Sequence, residues 1–158
     1  MSELETLIER ERIVDTINAL FVATDARDWA AVRDCLAPEV MFDMTSLAGG
    51  KPQQLSAQMI IDGWEQGLRP LQAVHHQSGN FRVRVDGARA EAFCYGVAYH
   101  YLPKASGEST RTFVGSYDFQ LQKEGERWRI GAFRFNLKFI TGNLELEKPE
   151  EPRGAALR

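Results

Sequence analysis

The hydrophobic period of the chain changes once, near residue 73, and this change limits the folds that are open to it. Before that point apolar residues recur every three or four positions, as on one face of a helix. After it they alternate along extended segments that are separated by short turns, as in paired β-strands. Helices followed by strands predict an α+β fold, because a parallel α/β sheet needs the two kinds of element to alternate.

The helical half predicts three N-terminal helices. They are expected at about residues 4–24, 27–36 and 57–68. Ser2 and Glu5 have the spacing of a capping box before the first helix. Pro38 follows the second helix, and Ser56 is placed to cap the third. Each helix therefore has a local boundary signal as well as an apolar face.

The second half predicts four long strands, and a shorter strand is expected earlier. The expected strands are at about residues 39–44, 74–85, 89–102, 110–123 and 127–140. Asp86-Gly87 and Glu124-Gly125 are hairpin turn signals, and residues 45–52 are predicted to be a loop. Short connections favour a curved antiparallel sheet. Wrapped by the three helices, it would form a cone-shaped barrel with a ligand pocket in its mouth.

Length and composition predict one domain and exclude several classes of function. The 158 residues fit a single domain over residues 1–144, and the charged segment 145–158, which contains two prolines, is expected to be an extended or disordered tail. A net charge of -3 argues against nucleic-acid binding. No apolar run reaches the roughly 20 residues of a membrane span, and the N-terminus lacks the apolar segment of a signal peptide.

The two cysteines, Cys35 and Cys94, have no metal-site spacing and are predicted to be buried, reduced thiols in a cytoplasmic protein. The sequence also lacks a phosphate loop, a dinucleotide fingerprint and a zinc cluster. We therefore predict no metal and no cofactor.

The three histidines lie on predicted strands, and their orientation depends on Gly79-Asn80. An extra residue at that point would be a β-bulge, which would place His76 on the same face as Phe81 and turn His75 to the other face. Histidine is the side chain best suited to proton transfer near neutral pH. At this stage His76 is either a buried structural residue or a base.

His100 ends a strand whose one face carries only small side chains. These are Ala90, Ala92, Cys94, Gly96 and Ala98. Such a row leaves volume above the sheet, which would be either a ligand cavity or a surface for a closely packed helix.

Three further residues have two possible placements. Asp25 continues the apolar stripe of the first helix, so it is either a helix cap or a partner for a histidine. Arg134 shares strand parity with Trp128, and it either projects into the cone or lies on an exposed sheet face. Tyr117 belongs to the core or to the pocket wall.

Four segments resemble the SnoaL-like group of the nuclear transport factor 2-like superfamily, and most closely its scytalone dehydratase and hexachlorocyclohexane dehydrochlorinase branch. The segments are ATDARDWAAVRDCLAPEV, VHHQSGNFRV, YGVAYHYL and EGERWRIGAFRFN. With the order of elements they cover about residues 5–142. The Asp-x-x-Asp-Trp and His-x-x-Gly-Asn pair is the most specific part of the resemblance.

The resemblance implies an Asp–His dyad inside the barrel. The family's aspartate falls on Asp25 and its general base on His76, with Asn80 at the family's spacing, while a second pocket histidine falls on His100. Two pocket tyrosines of scytalone dehydratase are replaced here by Thr24 and Met44, which argues against scytalone as the substrate. The predicted substrate-binding residues are Met44, Trp64, Asn80, Tyr117 and Arg134.

The expected function is a cofactor-independent lyase of the dehydratase type that acts on a small, largely apolar molecule, cyclic or aromatic. A polyketide cyclase or isomerase with the same pocket, and a ligand-binding protein without catalytic activity, are the alternatives. The resemblance also implies a homo-oligomer, either a trimer or a dimer.

Overall fold

The computed structural model describes residues 1–150, and in that range it contains four helices and six strands. The helices are α1 (Glu3–Ala26), α2 (Trp29–Cys35), α3 (Thr45–Ala48) and α4 (Ala57–Leu68). The strands are β1 (Leu36–Asp43), β2 (Gln53–Ser56), β3 (Ala73–Asp86), β4 (Arg89–Tyr101), β5 (Thr110–Glu124) and β6 (Arg127–Gly142). The predicted α+β class is confirmed, and no helix in this range is long and apolar enough to cross a membrane.

The helix caps predicted at Ser2 and Ser56 are confirmed. Ser2 Oγ accepts a hydrogen bond from the backbone N–H of Glu5, and the Glu5 carboxylate accepts one from the Ser2 N–H. Asp28 caps α2 by accepting from the Ala31 N–H at 3.1 Å, and Ser56 caps α4. Because Asp28 provides the cap, the carboxylate of Asp25 is free to bond elsewhere.

The six strands form one curved, open sheet in the order β2-β1-β6-β5-β4-β3. All neighbours are antiparallel except β1 and β6, which are parallel. The predicted antiparallel pairing of the four long strands is confirmed, and the parallel pairing of β1 with β6, which was not predicted, makes the sheet mixed. The predicted loop 45–52 was partly wrong, because α3 lies within it and β2 begins just after it. Since the sheet does not close on itself, helices complete the cone.

A bulge is present at Gly79-Asn80, where the sequence analysis made the direction of His76 depend on one. Gly79 pairs with Tyr95 and Arg82 with Phe93, so β3 carries one extra residue between these pairs. Asn80 takes up the bend with a left-handed φ of 57°. The bulge reverses the alternation, so His76 shares the inner face of the sheet with Phe81, while His75 is exposed on the outer face.

A second bulge, in β6, was not predicted. Leu121 pairs with Ile130 and Gln120 with Ala132, which leaves Gly131 as an extra residue. The alternation therefore reverses after Ile130, and Phe133 points into the core while Arg134 points out. The sequence-based parity that aligned Arg134 with Trp128 was wrong for this reason.

The row of small residues on β4 is partly covered by the core and partly open. Ala90, Ala92 and Cys94 belong to the main hydrophobic core, and both cysteines are buried and unbridged. A methyl group placed on Gly96 would lie 2.1 Å from Tyr117 Cε2, so the ring of Tyr117 occupies the volume above this glycine. At the other end of the row, Ala98 lines a largely apolar cavity.

A buried carboxylate ties α1 to the β5–β6 hairpin. Glu9, with only 6% of its surface exposed, accepts a hydrogen bond from Trp128 Nε1 at 2.6 Å and pairs with Lys123 Nζ and Arg12 Nη1, both at 2.9 Å. These contacts, above all the one with Lys123, hold the pKa of Glu9 below its ordinary value. This network could not be predicted from the sequence, because Glu9 lies more than a hundred residues from Lys123 and Trp128.

Glu9→Gln is expected to lower the free energy of unfolding by about 1–3 kcal/mol at pH 7, because the variant loses the charge-assisted bonds. A lowered pKa in the folded state means that this contribution is present above the unfolded-state pKa of 4.5 and is lost as the pH falls through the folded-state value. Urea unfolding at pH 7 and pH 3 measures both effects. Glu11→Gln, on the exposed face of α1, is the control. An equal loss at both pH values would contradict the assignment.

The first part of the predicted tail packs against the domain. Residues 144–147 form a turn, and Leu146 is fully buried against Leu71 and Val74. This part is neither extended nor disordered, because an apolar side chain in it finds a partner surface. Residues 151–158 lie outside the described range. The boundary at residue 144, the oligomeric state and the cytoplasmic location stay predictions.

Candidate active site

Asp25 and His76 meet inside the cone through two hydrogen bonds. Asp25 Oδ1 lies 2.6 Å from His76 Nδ1, and Asp25 Oδ2 accepts from the backbone N–H of His76 at 2.7 Å. The last turn of α1 carries the carboxylate, and the inner face of β3 carries the ring. Only 17% of the Asp25 side chain and 15% of the His76 side chain are exposed. The two-point contact fixes the ring relative to its own backbone.

The contact also determines which nitrogen of His76 carries the proton. A carboxylate can only accept, so the hydrogen between Asp25 and His76 sits on Nδ1 of the neutral ring. Nε2 then carries the lone pair, and it makes no hydrogen bond within residues 1–150. Phe21 stacks on the imidazole with ring centroids 5.2 Å apart and holds its plane. His76 is thus oriented as a base at Nε2.

His76 opens onto a cavity of about 150 Å³ that is largely apolar. Its walls come from α1, α3, α4 and the inner face of the sheet. The lining residues are Phe21, Thr24, Met44, Leu47, Trp64, Leu68, His76, Ala98, His100, Phe113, Tyr117, Phe133 and Phe135. An engineered protein cavity of similar volume holds a benzene molecule, so this one has room for about one ring.

His100 faces the same cavity from the neighbouring strand. His76 pairs with Ala98 and Val74 pairs with His100, which makes the two histidines diagonal neighbours at roughly 7–8 Å. Burial, assisted by the guanidinium of Arg111, lowers the pKa of His100 to about 4. His100 is therefore neutral at physiological pH.

Tyr117 closes the floor of the cavity. Burial raises the pKa of its phenol, so the hydroxyl stays protonated. Within residues 1–150 this hydroxyl makes no hydrogen bond, so it is able to donate to a bound molecule. Thr24, in contrast, already donates to the carbonyl of Leu20 at 2.7 Å.

The model of the SnoaL-like domain family matches residues 5–134 of the chain. This chain belongs to the SnoaL-like family. No curated protein matches its sequence. The family assignment therefore rests on the domain match, and solved structures support the fold.

Solved structures share the fold of this SnoaL-like domain at low sequence identity. The Kfla4162 protein of Kribbella flavida has a TM-score of 0.85 at 19% identity, over 90% of this chain and 98% of that one. A type 2 hexachlorocyclohexane dehydrochlorinase, LinA, has a TM-score of 0.75 at 14% identity, over 98% and 100%. A candidate scytalone dehydratase of Novosphingobium aromaticivorans DSM 12444 has 0.74 at 14%, over 96% and 97%.

The SnoaL-like domain brings six of the eight predicted site residues together. Asp25 bonds to His76, and the cavity is lined by His76, His100, Met44, Trp64 and Tyr117. Asn80 lies in the exposed bulge of β3 and lines no part of the cavity. Arg134 lies on the outer face of the sheet, where its Nε is 3.1 Å from Asp43 Oδ2.

The sequence analysis missed most of the cavity wall. The residues not singled out are apolar, namely Phe21, Leu47, Leu68, Phe113, Phe133 and Phe135. Ala98 was noted only as a member of the row of small residues, and Thr24 only as a replaced tyrosine. Strand alternation could have found Phe113, because it shares a face of β5 with Tyr117. Leu47 could not have been found this way, because it lies on α3 in the predicted loop.

A larger depression of about 740 Å³ lies on the outer face of the sheet. It contains charged residues, among them Arg82, Arg84, Glu91 and Asp118, and neither histidine of the cavity borders it. Within residues 1–150, no group of three or more His, Cys, Asp and Glu side chains could hold a metal ion. The smaller, apolar cavity is the candidate active site, because it holds the oriented base.

Proposed function

We propose that this SnoaL-like protein is a cofactor-independent lyase that acts on a small, largely apolar ring compound. One observation carries the proposal: Asp25 holds both the ring and the backbone of His76 at the wall of an apolar cavity, with Nε2 as the free basic nitrogen. Because little water screens charges in such a site, the Asp25 carboxylate can stabilise the positive charge that develops on the ring of His76 during proton transfer.

The first step is removal of a proton from carbon. His76 Nε2 takes the proton, the C–H electron pair becomes a carbon–carbon double bond, and the leaving group departs from the adjacent carbon with its bonding pair. The resulting imidazolium is stabilised by the Asp25 carboxylate at 2.6 Å. His100 donates a hydrogen bond to a leaving or carbonyl oxygen. An isomerase would share the first step and return the proton to another carbon.

The comparisons and the cavity size support this choice of reaction and substrate. Two of the similar structures carry the names of a dehydrochlorinase and a candidate dehydratase, and both names denote eliminations. A cavity of about 150 Å³ is smaller than the roughly 300–1,000 Å³ of pockets for larger ligands, which disfavours a polyketide with several fused rings. Cyclase activity is therefore the weaker alternative.

A base-catalysed elimination with a coloured product tests the proposal before the natural substrate is identified. 5-Nitrobenzisoxazole loses its C3 proton to a base, the N–O bond breaks, and a nitrile with a yellow phenolate forms. We expect turnover by the wild type and a loss of about 10²–10⁴-fold in kcat/KM for His76→Asn, the usual contribution of a general base.

The matched control is His75→Asn, the same change one residue earlier. His75 is exposed on the outer face of β3 next to Tyr99, so this variant should keep the wild-type rate. Equal rates for the His76 and His75 variants would reject His76 as the base. Binding of the probe without any elimination would favour the non-catalytic alternative.

A further inference from the structure

We infer that Arg111 and Glu147 are positioning residues, which hold His100 as a neutral hydrogen-bond donor to the oxygen of the substrate. The inference rests on the proposed function for its chemistry, since the donor matters only if bond cleavage occurs in the same cavity. The geometry on which it rests is the ion pair between Arg111 and Glu147, which connects the C-terminal segment to the ring of His100.

The first step is the contact between Arg111 and His100. The two residues are directly opposite each other on β5 and β4, and Arg111 Nη2 lies 3.0 Å from His100 Nδ1. A guanidinium has only donor N–H groups, so Nδ1 must accept. The proton of the neutral ring is then on Nε2. His100 therefore has the opposite tautomer to His76.

The two tautomers have complementary chemistry. His76 offers a lone pair at Nε2, whereas His100 offers an N–H at Nε2, and both rings border one cavity. Diagonal neighbours at roughly 7–8 Å can contact two ends of a single ring compound. The arrangement suits a substrate whose acidic C–H lies on one side and whose leaving or carbonyl oxygen lies on the other.

The second step is the anchoring of Arg111 by Glu147. Glu147 Oε2 accepts from Nη1 at 2.9 Å and Oε1 accepts from Nη2, so the carboxylate holds the guanidinium at two points. Only 14% of the Arg111 side chain is exposed, and its charge lies 5.3 Å from the centroid of Phe113. A bidentate pair of this kind fixes the orientation of the guanidinium and also balances its charge.

The third step is the docking of the segment that carries Glu147. Leu146 is fully buried against Leu71 and Val74, and Lys104 Nζ donates to the carbonyl of Lys148 at 2.8 Å. These contacts hold Glu147 beneath the ends of β3 and β4. The C-terminal turn therefore completes the support of His100.

The charged groups near His100 agree with this assignment. Burial, Arg111 and His76 lower its pKa, while Glu147 and Asp25 act in the opposite direction. The net effect is a lowered pKa, because the ring of His100 is buried and the Arg111 guanidinium is in direct contact with it. Removing Arg111 should therefore raise the pKa of His100 and allow its neutral ring to adopt both tautomers.

The spectroscopic test is ¹⁵N NMR of the imidazole rings in the full-length protein. We expect His100 to show a protonated Nε2 and an unprotonated Nδ1 that do not titrate between pH 5.5 and 8. In Arg111→Met the tautomers should mix and the titration midpoint should rise, whereas Arg111→Lys, which can still donate to Nδ1, should restore the wild-type pattern. Arg84→Met removes an exposed ion pair with Glu91 and is the control.

The kinetic test compares two leaving groups. Unsubstituted benzisoxazole releases a more basic phenolate than the 5-nitro compound, so it depends more on a donor to the departing oxygen. For Arg111→Met and Glu147→Gln we expect kcat to fall about 10-fold with the unsubstituted probe and under about 3-fold with the nitro probe, the size of a lost hydrogen bond. Loss of packing alone would slow both probes equally.

The outcomes separate this inference from the proposed function. An Nδ1-protonated His100 in the wild type, or equal losses with both probes, would overturn the roles of Arg111 and Glu147 even if His76 proves to be the base. If the tautomer pattern is as expected but His76→Asn eliminates at the wild-type rate, the proposed lyase fails while the positioning of His100 stands.

Discussion

Replacing Asp25 with asparagine is expected to lower kcat/KM for 5-nitrobenzisoxazole about 10²–10⁴-fold, as much as removing the base itself, because it leaves His76 in the wrong tautomer as in a Ser-His-Asn triad. The reason lies in the two-point contact. The backbone N–H of His76 can only donate, so the side-chain oxygen of the asparagine must face it. The amide NH₂ then meets Nδ1, which must accept. The proton of the ring moves to Nε2, and the base loses its lone pair toward the cavity.

This prediction has a spectroscopic readout and a matched control. ¹⁵N NMR should show His76 changing from the Nδ1-protonated to the Nε2-protonated tautomer in the variant. Asp28→Asn makes the same chemical change three residues later, at the cap of α2, where asparagine is as good a cap as aspartate. It should leave both rate and tautomer unchanged. A fast Asp25→Asn enzyme, or one with an unchanged tautomer, would remove Asp25 from the mechanism.

Phe133→Ala is expected to lower the free energy of unfolding by about 3–5 kcal/mol. The side chain is 4% exposed and lies between two groups of rings, with Phe42, Tyr117 and Phe119 each at 5.5 Å between centroids. Deleting it removes these contacts and leaves a void continuous with the candidate active site. A loss of that size is a large part of the roughly 5–15 kcal/mol that stabilises a typical domain.

Urea unfolding with an unchanged m-value measures this loss. Phe139→Ala is the matched control, because Phe139 lies on the same strand with 52% of its surface exposed, and its removal should change stability by less than about 1 kcal/mol. The loss of stability in Phe133→Leu should lie between those of the two alanine variants. If the alanine variants at 133 and 139 were equally stable, Phe133 would not be a core residue.

The sequence could predict those features whose signals are local. Capping residues at Ser2 and Ser56 act within one turn of helix, and Asp86-Gly87 forms its turn within a few residues. The bulge at Gly79-Asn80 was also predictable, because a glycine beside an asparagine that tolerates a positive φ marks a break in strand alternation. From that bulge the inward direction of His76 follows.

The parallel pairing of β1 with β6 and the direction of Arg134 could not be predicted in the same way. The bulge at Gly131 is defined by the pairing of its neighbours, Ile130 with Leu121 and Ala132 with Gln120. A lone glycine in a strand does not by itself show that a residue is left unpaired. An error of one residue in register moves a side chain to the opposite face. The bulge at Gly131 therefore places Arg134 on the outer face of the sheet, outside the cavity.

By itself, the sequence determined the class of fold and the order of the long elements, because periodicity and turn signals are encoded in neighbouring residues. The candidate pair Asp25 and His76 was implied by the resemblance to the SnoaL-like group. Only the tertiary structure decided the volume of the cavity, the tautomers of His76 and His100, and the support of His100 by Arg111 and Glu147. Glu147 lies 36 residues beyond Arg111 in the chain. Contacts over such separations depend on how the whole sheet curves and where the C-terminal turn docks, and no short segment carries that information.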